Sequence, residues 1–363
     1  MTKRSSNVDL FRIIATLLVV LLHVLGYGGI LTDTSPHEVK HWAARFFEAL
    51  SYCAVDCFAL ISGYLMVNKN IKLRSIINLW FQVFFYSVLF AAVFYIFKPE
   101  TRSIEDLAFS VFPVMRRTWW YVSAYFALFF VIPFLNKAVE NISPRTYKKF
   151  LLLVLLIVCI LECVTRRDPF FIGLGYSPIW LIIVYLFGAY IRKYNLAQKI
   201  TAGKSILGFF AAIAVTFISE IALYFLTERI LGQPKGFDIL LSYTSVTIFL
   251  SAIFLFLFCL NVKINSAVSK IIAVFSPAAL GVYLIHVHPY VFNNILSGSC
   301  AELANKPLVI MLVGVFLVTL GIFVACSAVD LLRIQLFKLI KVKVWSVKIE
   351  NKLSSMYLRI FEK

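Results

Sequence analysis

The chain has 363 residues, of which 61% are hydrophobic and only 15% are charged. Soluble domains average about 45 to 50% apolar and about 25% charged residues, so this composition excludes a soluble enzyme, a disulfide-bonded secreted scaffold and a disordered chain. The formal charge of +17 does not by itself indicate a nucleic-acid partner, because basic residues confined to one side of a bilayer give the same value. The composition predicts a polytopic membrane protein without a nucleic-acid partner.

Candidate membrane-spanning segments are the first elements to read along the chain, because about 20 apolar residues cross a bilayer core as a helix. Long continuous runs favour helices over barrel strands, which alternate apolar and polar residues over about ten positions. The predicted fold class is therefore an all-α integral membrane bundle of about ten helices. The runs lie near residues 9–27, 45–67, 74–97, 119–135, 150–165, 178–192, 205–227, 243–261, 278–296 and 307–330.

The basic residues divide unevenly between the two sides of this predicted bundle. The side that carries both termini holds 24 of the 35 Lys and Arg residues. Positive residues favour the cytoplasm, so we expect both termini to be cytoplasmic in a multi-pass cell-membrane protein. The 24 residues are Lys3, Arg4, Arg12, Lys69, Lys72, Arg74, Lys137, Arg145, Lys148, Lys149, Arg192, Lys193, Lys199, Lys204, Lys263, Lys270 and the eight from Arg333 to Lys363.

The sequence divides into a ten-helix membrane domain at residues 1–331 and a basic tail at residues 332–363. The tail alternates basic and apolar residues, which suits a helix on anionic inner-leaflet lipid, and a solvated basic tail is equally compatible. The seven cysteines lie mostly within apolar runs, without the His or second Cys pair that a zinc site needs, so we predict no metal site.

The first span carries ionisable side chains, which are functional candidates because each costs about 2.5 to 3.5 kcal/mol at a helix centre on insertion scales. Asp9, Arg12, Thr16 and His23 share one helical face. The eleven-residue step from Arg12 to His23 amounts to about 20° beyond three turns and a rise of about 16 Å. The stripe therefore places a cation near the cytoplasmic surface and an imidazole in the outer half. Snorkelling of Arg12 and a structural hydrogen bond from His23 are the alternatives.

Two further carboxylates lie inside predicted spans. Asp56 precedes Ser62 and Gly63, a small patch where helices approach closely. Asp56 either orients His23 and stabilises its protonated form, as the third member of a catalytic triad does, or is a structural partner for a cation. Glu220 in the seventh span either pairs with a basic group or lines a cavity.

Four motifs in order resemble the membrane acyltransferase 3 family over about residues 6–331. Arg12 and His23 with ten residues between them are similar to its Arg-x10-His signature. Residues 56–64 are similar to its Phe-Phe-x-x-Ser-Gly-Phe stretch, with Cys57 in place of one aromatic residue. Residues 119–121 resemble its Trp-Phe-Leu segment, and residues 281–286 resemble its Tyr-Leu-x-His segment.

The resemblance implies transfer of an acyl group, usually acetyl, from cytoplasmic acyl-CoA to a hydroxyl of an extracytoplasmic carbohydrate such as a bacterial surface polysaccharide. The acceptor is then a carbohydrate or lipid-linked glycan, acyl-CoA is a donor co-substrate, and no cofactor is permanently bound. At the inner mouth, we expect four cations to hold the CoA phosphates. They are Arg12, Lys69, Lys72 and Arg74. The family often has an Arg-x-x-Arg pair near Arg74, which this chain lacks, so bidentate contacts are not available there.

His23 is expected to be the general base that takes the acceptor proton, with Arg12 and Asp56 completing the catalytic set, and a covalent acyl-histidine is the alternative. An acceptor platform is expected at the aromatic residues Trp119, Trp120, Tyr121 and Tyr125 with Arg116 and Arg117 beside them, where an ordinary interfacial aromatic belt is the alternative. His286 and His288 are candidates for positioning the acceptor or for structural hydrogen bonds.

A competing function is a polytopic transporter or flippase for a glycan or lipid-linked sugar, which would also carry intramembrane Asp, Arg, His and Glu. Transporters more often show related halves with helices broken by Gly or Pro at matching positions. Neither feature is evident in this sequence.

Overall fold

The computed structural model describes residues 5–101, 103–165 and 167–361. Within these ranges all regular secondary structure is helical, which confirms the predicted all-α class. Lys3, Arg4 and Lys363, three of the basic residues counted above, lie outside the described residues. The placement of both termini in the cytoplasm stays a prediction.

The helices are numbered in chain order. They are α1 (Ser6–Leu25), α2 (Val39–Tyr52), α3 (Ala54–Met66), α4 (Leu73–Phe97), α5 (Ile104–Phe109), α6 (Trp120–Glu140), α7 (Pro144–Val154), α8 (Leu161–Thr165), α9 (Pro178–Lys193), α10 (Ala202–Leu231), α11 (Val246–Asn261), α12 (Ser266–Phe275), α13 (Ala279–His286), α14 (Pro289–Val291), α15 (Ala301–Ala304), α16 (Leu308–Leu339) and α17 (Val342–Phe361). A π-helical turn, Leu155–Ile160, joins α7 to α8, and a second, Phe292–Leu296, follows α14.

Among the described residues, seven helical stretches are long and apolar enough to cross a membrane, judged by length and composition. These stretches are Ser6–Leu25, Val39–Met66, Leu73–Phe97, Trp120–Glu140, Ala202–Leu231, Ser266–His286 and Leu308–Leu339. The apolar helix α11 is shorter, and so is α9, whereas the α7–α8 unit is interrupted by a π-helical turn; α9 and this unit coincide with two other predicted spans. The structure thus supports a multi-helix membrane protein, and the total of ten spans stays a prediction.

The ninth predicted span, near residues 278–296, differs from the structure. The apolar helical stretch there is Ser266–His286, and the helix ends before Pro289. Proline disfavours helical backbone at the residue before it, and His288 accordingly adopts φ −59° and ψ 130°. The sequence pattern missed this end because apolar residues continue beyond the proline.

Helix α1 occupies the centre of the bundle and packs against α2, α3, α11, α13 and α16. Its polar stripe therefore faces protein rather than lipid. This central position is what brings residues far apart in sequence next to Arg12 and His23.

Helices α3 and α9 pack closely because glycines lie at their contact. A Cβ atom on Gly63 would overlap the backbone carbonyl of Tyr185, and one on Gly188 would overlap the carbonyl of Leu60. Small residues allow helix backbones to approach in this way. The structure confirms the prediction of a small contact patch at Ser62 and Gly63.

Helix α16 runs through residue 331 to Leu339, and the division into a membrane domain and a tail stays a prediction. No glycine or proline interrupts residues 332–339, so nothing in that stretch stops a helix. The next helix, α17, packs against α4, where Ser346 Oγ donates to Asn78 Oδ1 at 2.8 Å. The tail is thus a docked helix, and its contact with lipid stays a prediction.

Candidate active site

A cavity of about 380 Å³ lies beside α1 and is the centre of the candidate site. Arg12 and His23, one near each end of α1, both line it. The facing walls come from α3, α4, α6 and α13. The eleven-residue stripe predicted from the sequence therefore borders one cavity. We call this space the catalytic cavity.

Arg12 is held by acidic and hydroxyl partners within the protein. Its Nη1 lies 2.7 Å from Asp9 Oδ1 and 3.0 Å from Ser276 Oγ, and Ser276 Oγ donates to the same Asp9 oxygen at 2.8 Å. Asp9 is 5% exposed, so its charge is compensated by the guanidinium, as a buried ion requires. Arg12 is thus a fixed cation at the wall of the catalytic cavity, rather than one that extends to lipid phosphates.

His23 contacts a second histidine, His286 at the end of α13. His23 Nδ1 lies 3.0 Å from His286 Nε2, and His286 Nδ1 lies 2.6 Å from the carbonyl oxygen of Val282. A carbonyl can only accept, so His286 Nδ1 carries the proton and the Nε2 of a neutral His286 accepts from His23 Nδ1. It follows that Nε2 of His23 is left as the basic nitrogen.

Asp56 does not orient His23, contrary to one of the two roles expected for it. Its Oδ1 accepts from the indole Nε1 of Trp180 at 2.7 Å, and Oδ2 has no hydrogen-bond partner among the described residues. Asp56 lies in the first turn of α3, where α3 packs against α9, and this packing directs the carboxylate to Trp180. His286 makes the contact to His23 that Asp56 was expected to make.

The four cations expected at the donor end are not gathered at one place. Arg12 lines the catalytic cavity, whereas Lys69 lines a separate polar cavity and Lys72 is exposed. The backbone N–H of Arg74 donates to Glu350 Oε1 of α17 at 3.1 Å, and its Nε lies 3.9 Å from Glu350 Oε2. The structure therefore separates Lys72 and Arg74 from the cavity wall.

Among the residues expected to contact the acceptor, Trp120 lines the catalytic cavity. Its ring centroid lies 4.6 Å from that of Tyr176, and Tyr176 lies 4.9 Å from Tyr243. Tyr243 also lines the cavity. Together the three rings form an aromatic wall at the start of α6.

Trp119 and His288 lie beside the cavity rather than in its wall. Both are buried, and their ring centroids are 5.4 Å apart. His288 Nδ1 accepts from the backbone N–H of Tyr290 at 3.3 Å, so His288 caps α14. The structure supports the structural interpretation of His288, whereas His286 contacts His23.

Arg116 and Arg117 lie in the loop before α6 and do not line the cavity. Arg116 Nη1 lies 2.9 Å from Asp106 Oδ1, and both side chains are exposed. Arg117 is exposed, and its φ of 55° marks a turn. These arginines are close to Trp120 in the sequence. In the structure, however, Arg116 makes a surface ion pair and Arg117 is an exposed residue of a turn.

Three further tyrosines line the catalytic cavity, and sequence reasoning assigned no role to one of them, Tyr283. Tyr121, Tyr125 and Tyr283 line the catalytic cavity, and the hydroxyls of Tyr121 and Tyr283 have no hydrogen-bond partner among the described residues. The available signal for Tyr283 was position, since it lies within the motif at residues 281–286 quoted above. Tyr125 follows one helical turn after Tyr121.

Two buried ionic clusters lie outside the cavity. Glu220 pairs with Arg45, which also contacts Glu48 at 2.7 Å, so the prediction that Glu220 meets a basic group is confirmed. In α16, Asp330 Oδ2 lies 2.7 Å from Arg333 Nη2. The sequence reading did not identify the Asp330 pair, although Asp330 falls at the end of the tenth predicted span.

The fold and the cavity define a multi-pass membrane protein with a largely apolar cavity that Arg12 and His23 both line. A family model described as an acyltransferase domain, that of acyltransferase 3, matches residues 5–327. The chain therefore belongs to the acyltransferase 3 family and is a membrane acyltransferase, which confirms the family expected from the motifs. Neither a curated protein nor a solved structure matches the chain.

Proposed function

We propose that this membrane acyltransferase is an O-acetyltransferase of the bacterial inner membrane, which moves acetyl from cytoplasmic acetyl-CoA to a hydroxyl of a carbohydrate on the opposite face. The observation that carries the proposal is the single cavity lined by both Arg12 and His23, with His23 held by His286. It supplies a cation for an anionic donor and a base for a hydroxyl acceptor within one cavity.

The base is Nε2 of His23. It takes the proton of the acceptor hydroxyl while the hydroxyl oxygen bonds to the thioester carbonyl carbon. The carbon–sulfur bond then breaks, and the sulfur leaves with the proton that the imidazolium returns. The products are an ester and free CoA. His286 keeps the proton of His23 on Nδ1 throughout, since its own Nδ1 is bound to the Val282 carbonyl.

The length of the site suits a donor that is charged at one end and reactive at the other. Arg12 and His23 differ by about 16 Å along the axis of α1. Arg12 presents a positive charge to the anionic donor, and the thin arm that carries the thioester extends along the largely apolar cavity wall to His23. Lys and Arg are the usual partners of phosphate groups in proteins.

The acceptor is a carbohydrate, and its sugar ring lies against the aromatic wall of Trp120, Tyr176 and Tyr243. Flat aromatic faces offer apolar contact to the C–H face of a sugar, and the Tyr176 hydroxyl donates to that of Tyr243 at 3.3 Å. A surface polysaccharide or a lipid-linked precursor carries such rings at the membrane surface.

The proposal is tested with purified protein in detergent, radiolabelled acetyl-CoA and a panel of surface glycans. Wild type is expected to produce a labelled ester, and Arg12→Ala to raise KM for acetyl-CoA by about tenfold or more, the effect of losing a charge-assisted contact. Arg145→Ala removes an exposed arginine on α7 and serves as the control. If wild type consumes no acetyl-CoA but moves a glycan across vesicle membranes, the protein is a flippase and the proposal fails.

A further inference from the structure

A second cavity, of about 470 Å³, adjoins the catalytic cavity. It is formed by the loop between α3 and α4, at residues 67–71, and by the ends of α6 and α9. Three lysines line it, Lys69, Lys137 and Lys193, together with one acidic residue, Glu140. We call it the lysine cavity, and its lining carries a net positive charge.

Consecutive residues line the two cavities. Met66 lines the catalytic cavity, whereas the next residue, Val67, lines the lysine cavity. The Met66 carbonyl accepts from Asn136 Nδ2 at 2.9 Å, and its sulfur lies 3.7 Å from the Tyr125 hydroxyl. Tyr185 in turn donates to Asn136 Oδ1 at 2.6 Å, which fixes the amide. Met66 therefore lies where the linings of the two cavities are adjacent along the chain, and its side chain is a flexible thioether.

The lysines are positioned to accept an anion without dismantling the fold. Lys193 donates to the backbone carbonyls of Val139 and Glu140, so its charge covers the negative end of the α6 dipole. Lys137 lies 2.7 Å from Glu140, but the pair is exposed and weakly held, so Lys137 can exchange partners. Lys69 is exposed at the rim of the cavity.

The two cavities differ in polarity and charge, and the two ends of an acyl-CoA differ in the same way. The catalytic cavity is walled mainly by apolar and aromatic side chains, and the lysine cavity by lysines and amides. An acyl-CoA joins a phosphorylated adenosine diphosphate to a slender arm that ends in a thioester. A single donor molecule that passes Met66 would place each end in the cavity that matches it.

We propose that the lysine cavity binds the phosphorylated nucleotide of the donor through Lys69, Lys137 and Lys193, while the arm passes Met66 into the catalytic cavity. This inference rests on the proposed function. It assigns nucleotide recognition to the ends of α6 and α9, away from Lys72 and Arg74, whose side chains lie elsewhere.

The test compares acetyl-CoA with S-acetylpantetheine, which keeps the thioester arm and lacks the nucleotide. In the double variant Lys69→Ala/Lys137→Ala, KM for acetyl-CoA is expected to rise by about tenfold or more with kcat unchanged, the scale of one or two lost charge-assisted contacts. KM for S-acetylpantetheine is expected to stay the same. The conservative variant Lys69→Arg/Lys137→Arg keeps both charges and should restore KM for acetyl-CoA to within about twofold.

The matched control is Lys148→Ala/Lys149→Ala, which removes two exposed lysines of α7 that do not line the cavity. An unchanged KM for acetyl-CoA in the Lys69 and Lys137 variant, or an equal rise for both donors or in the control, overturns the inference. Adenosine 3′,5′-bisphosphate adds an independent readout, since it should compete with acetyl-CoA in wild type and much less in the variant. Wild type that transfers acetyl from neither donor refutes the proposed function instead.

Discussion

His23 Nδ1 lies 3.0 Å from His286 Nε2, although 263 positions separate the two residues in the chain. Because His286 Nδ1 is bound to the Val282 carbonyl, the contact sets the tautomer of His23 and leaves its Nε2 basic. The orienting group for the proposed base is thus a neutral imidazole rather than a carboxylate. Such a partner holds the ring in place without supplying a full negative charge.

Removal of the orienting imidazole is expected to impair transfer. His286→Ala should lower kcat by about a hundredfold, since positioned general bases contribute about 10² to 10⁴. His286→Gln should lose less, because its amide can accept from His23 and donate to Val282. The measurement is the initial rate of acetyl transfer at saturating donor. Equal rates in wild type and His286→Ala would show that His286 does not position the base.

Asp56 is expected to contribute more to folding than to chemistry. Asp56→Asn keeps an acceptor for Trp180 and should retain the transfer rate to within about twofold. Asp56→Ala leaves the buried indole N–H unpaired and should lower the free energy of unfolding by about 1 to 3 kcal/mol. Transfer rates and urea unfolding in detergent check both. Loss of transfer in a folded Asp56→Asn protein, on the scale expected for loss of the base, would return Asp56 to the catalytic set.

The close contact between α3 and α9 leaves no room for a methyl group. Gly63→Ala places a Cβ against the Tyr185 carbonyl and should lower the free energy of unfolding by about 1 to 3 kcal/mol, as overpacking does. Gly321→Ala in α16 is the matched control, since its Cβ would meet nothing within 4 Å. The control should be neutral or more stable, because alanine favours helix. Equal stability of the two variants would contradict the close packing.

The buried cluster of Arg45, Glu48 and Glu220 predicts a graded response. Arg45→Ala leaves two carboxylates without their cation and should cost about 3 to 5 kcal/mol. Glu220→Ala should cost less, because Glu48 still contacts Arg45 at 2.7 Å. Unfolding midpoints in detergent measure the order of stability of the two variants. A larger loss in Glu220→Ala than in Arg45→Ala would show that the cluster is not held by Arg45.

Local regularities predicted much of this site. The spacing of Arg12 and His23 depends only on the pitch of one helix, and both residues line one cavity. The small patch at Gly63 likewise reflects a rule of helix packing that a short segment reveals. The apolar runs gave the helical class because length and hydropathy are local properties.

Contacts between distant segments were not predictable in the same way. Asp56 meets Trp180, 124 positions away, and His23 meets His286, because of how α1, α3, α9 and α13 pack. Periodicity states which face of a helix is polar, but not which neighbouring helix covers that face. The end of α13 was missed for another reason, since Pro289 stops a helix inside a run that remains apolar.

The most direct test of the central claim measures transfer across a membrane by the His23→Ala protein. Proteoliposomes enclose labelled acetyl-CoA, the glycan is added outside, and His37→Ala serves as a control because His37 lies in the loop before α2 with an exposed side chain. We predict labelled glycan from wild type and from His37→Ala, and a rate lower by about a hundredfold or more from His23→Ala. Transfer by a folded His23→Ala protein at the wild-type rate would contradict the account.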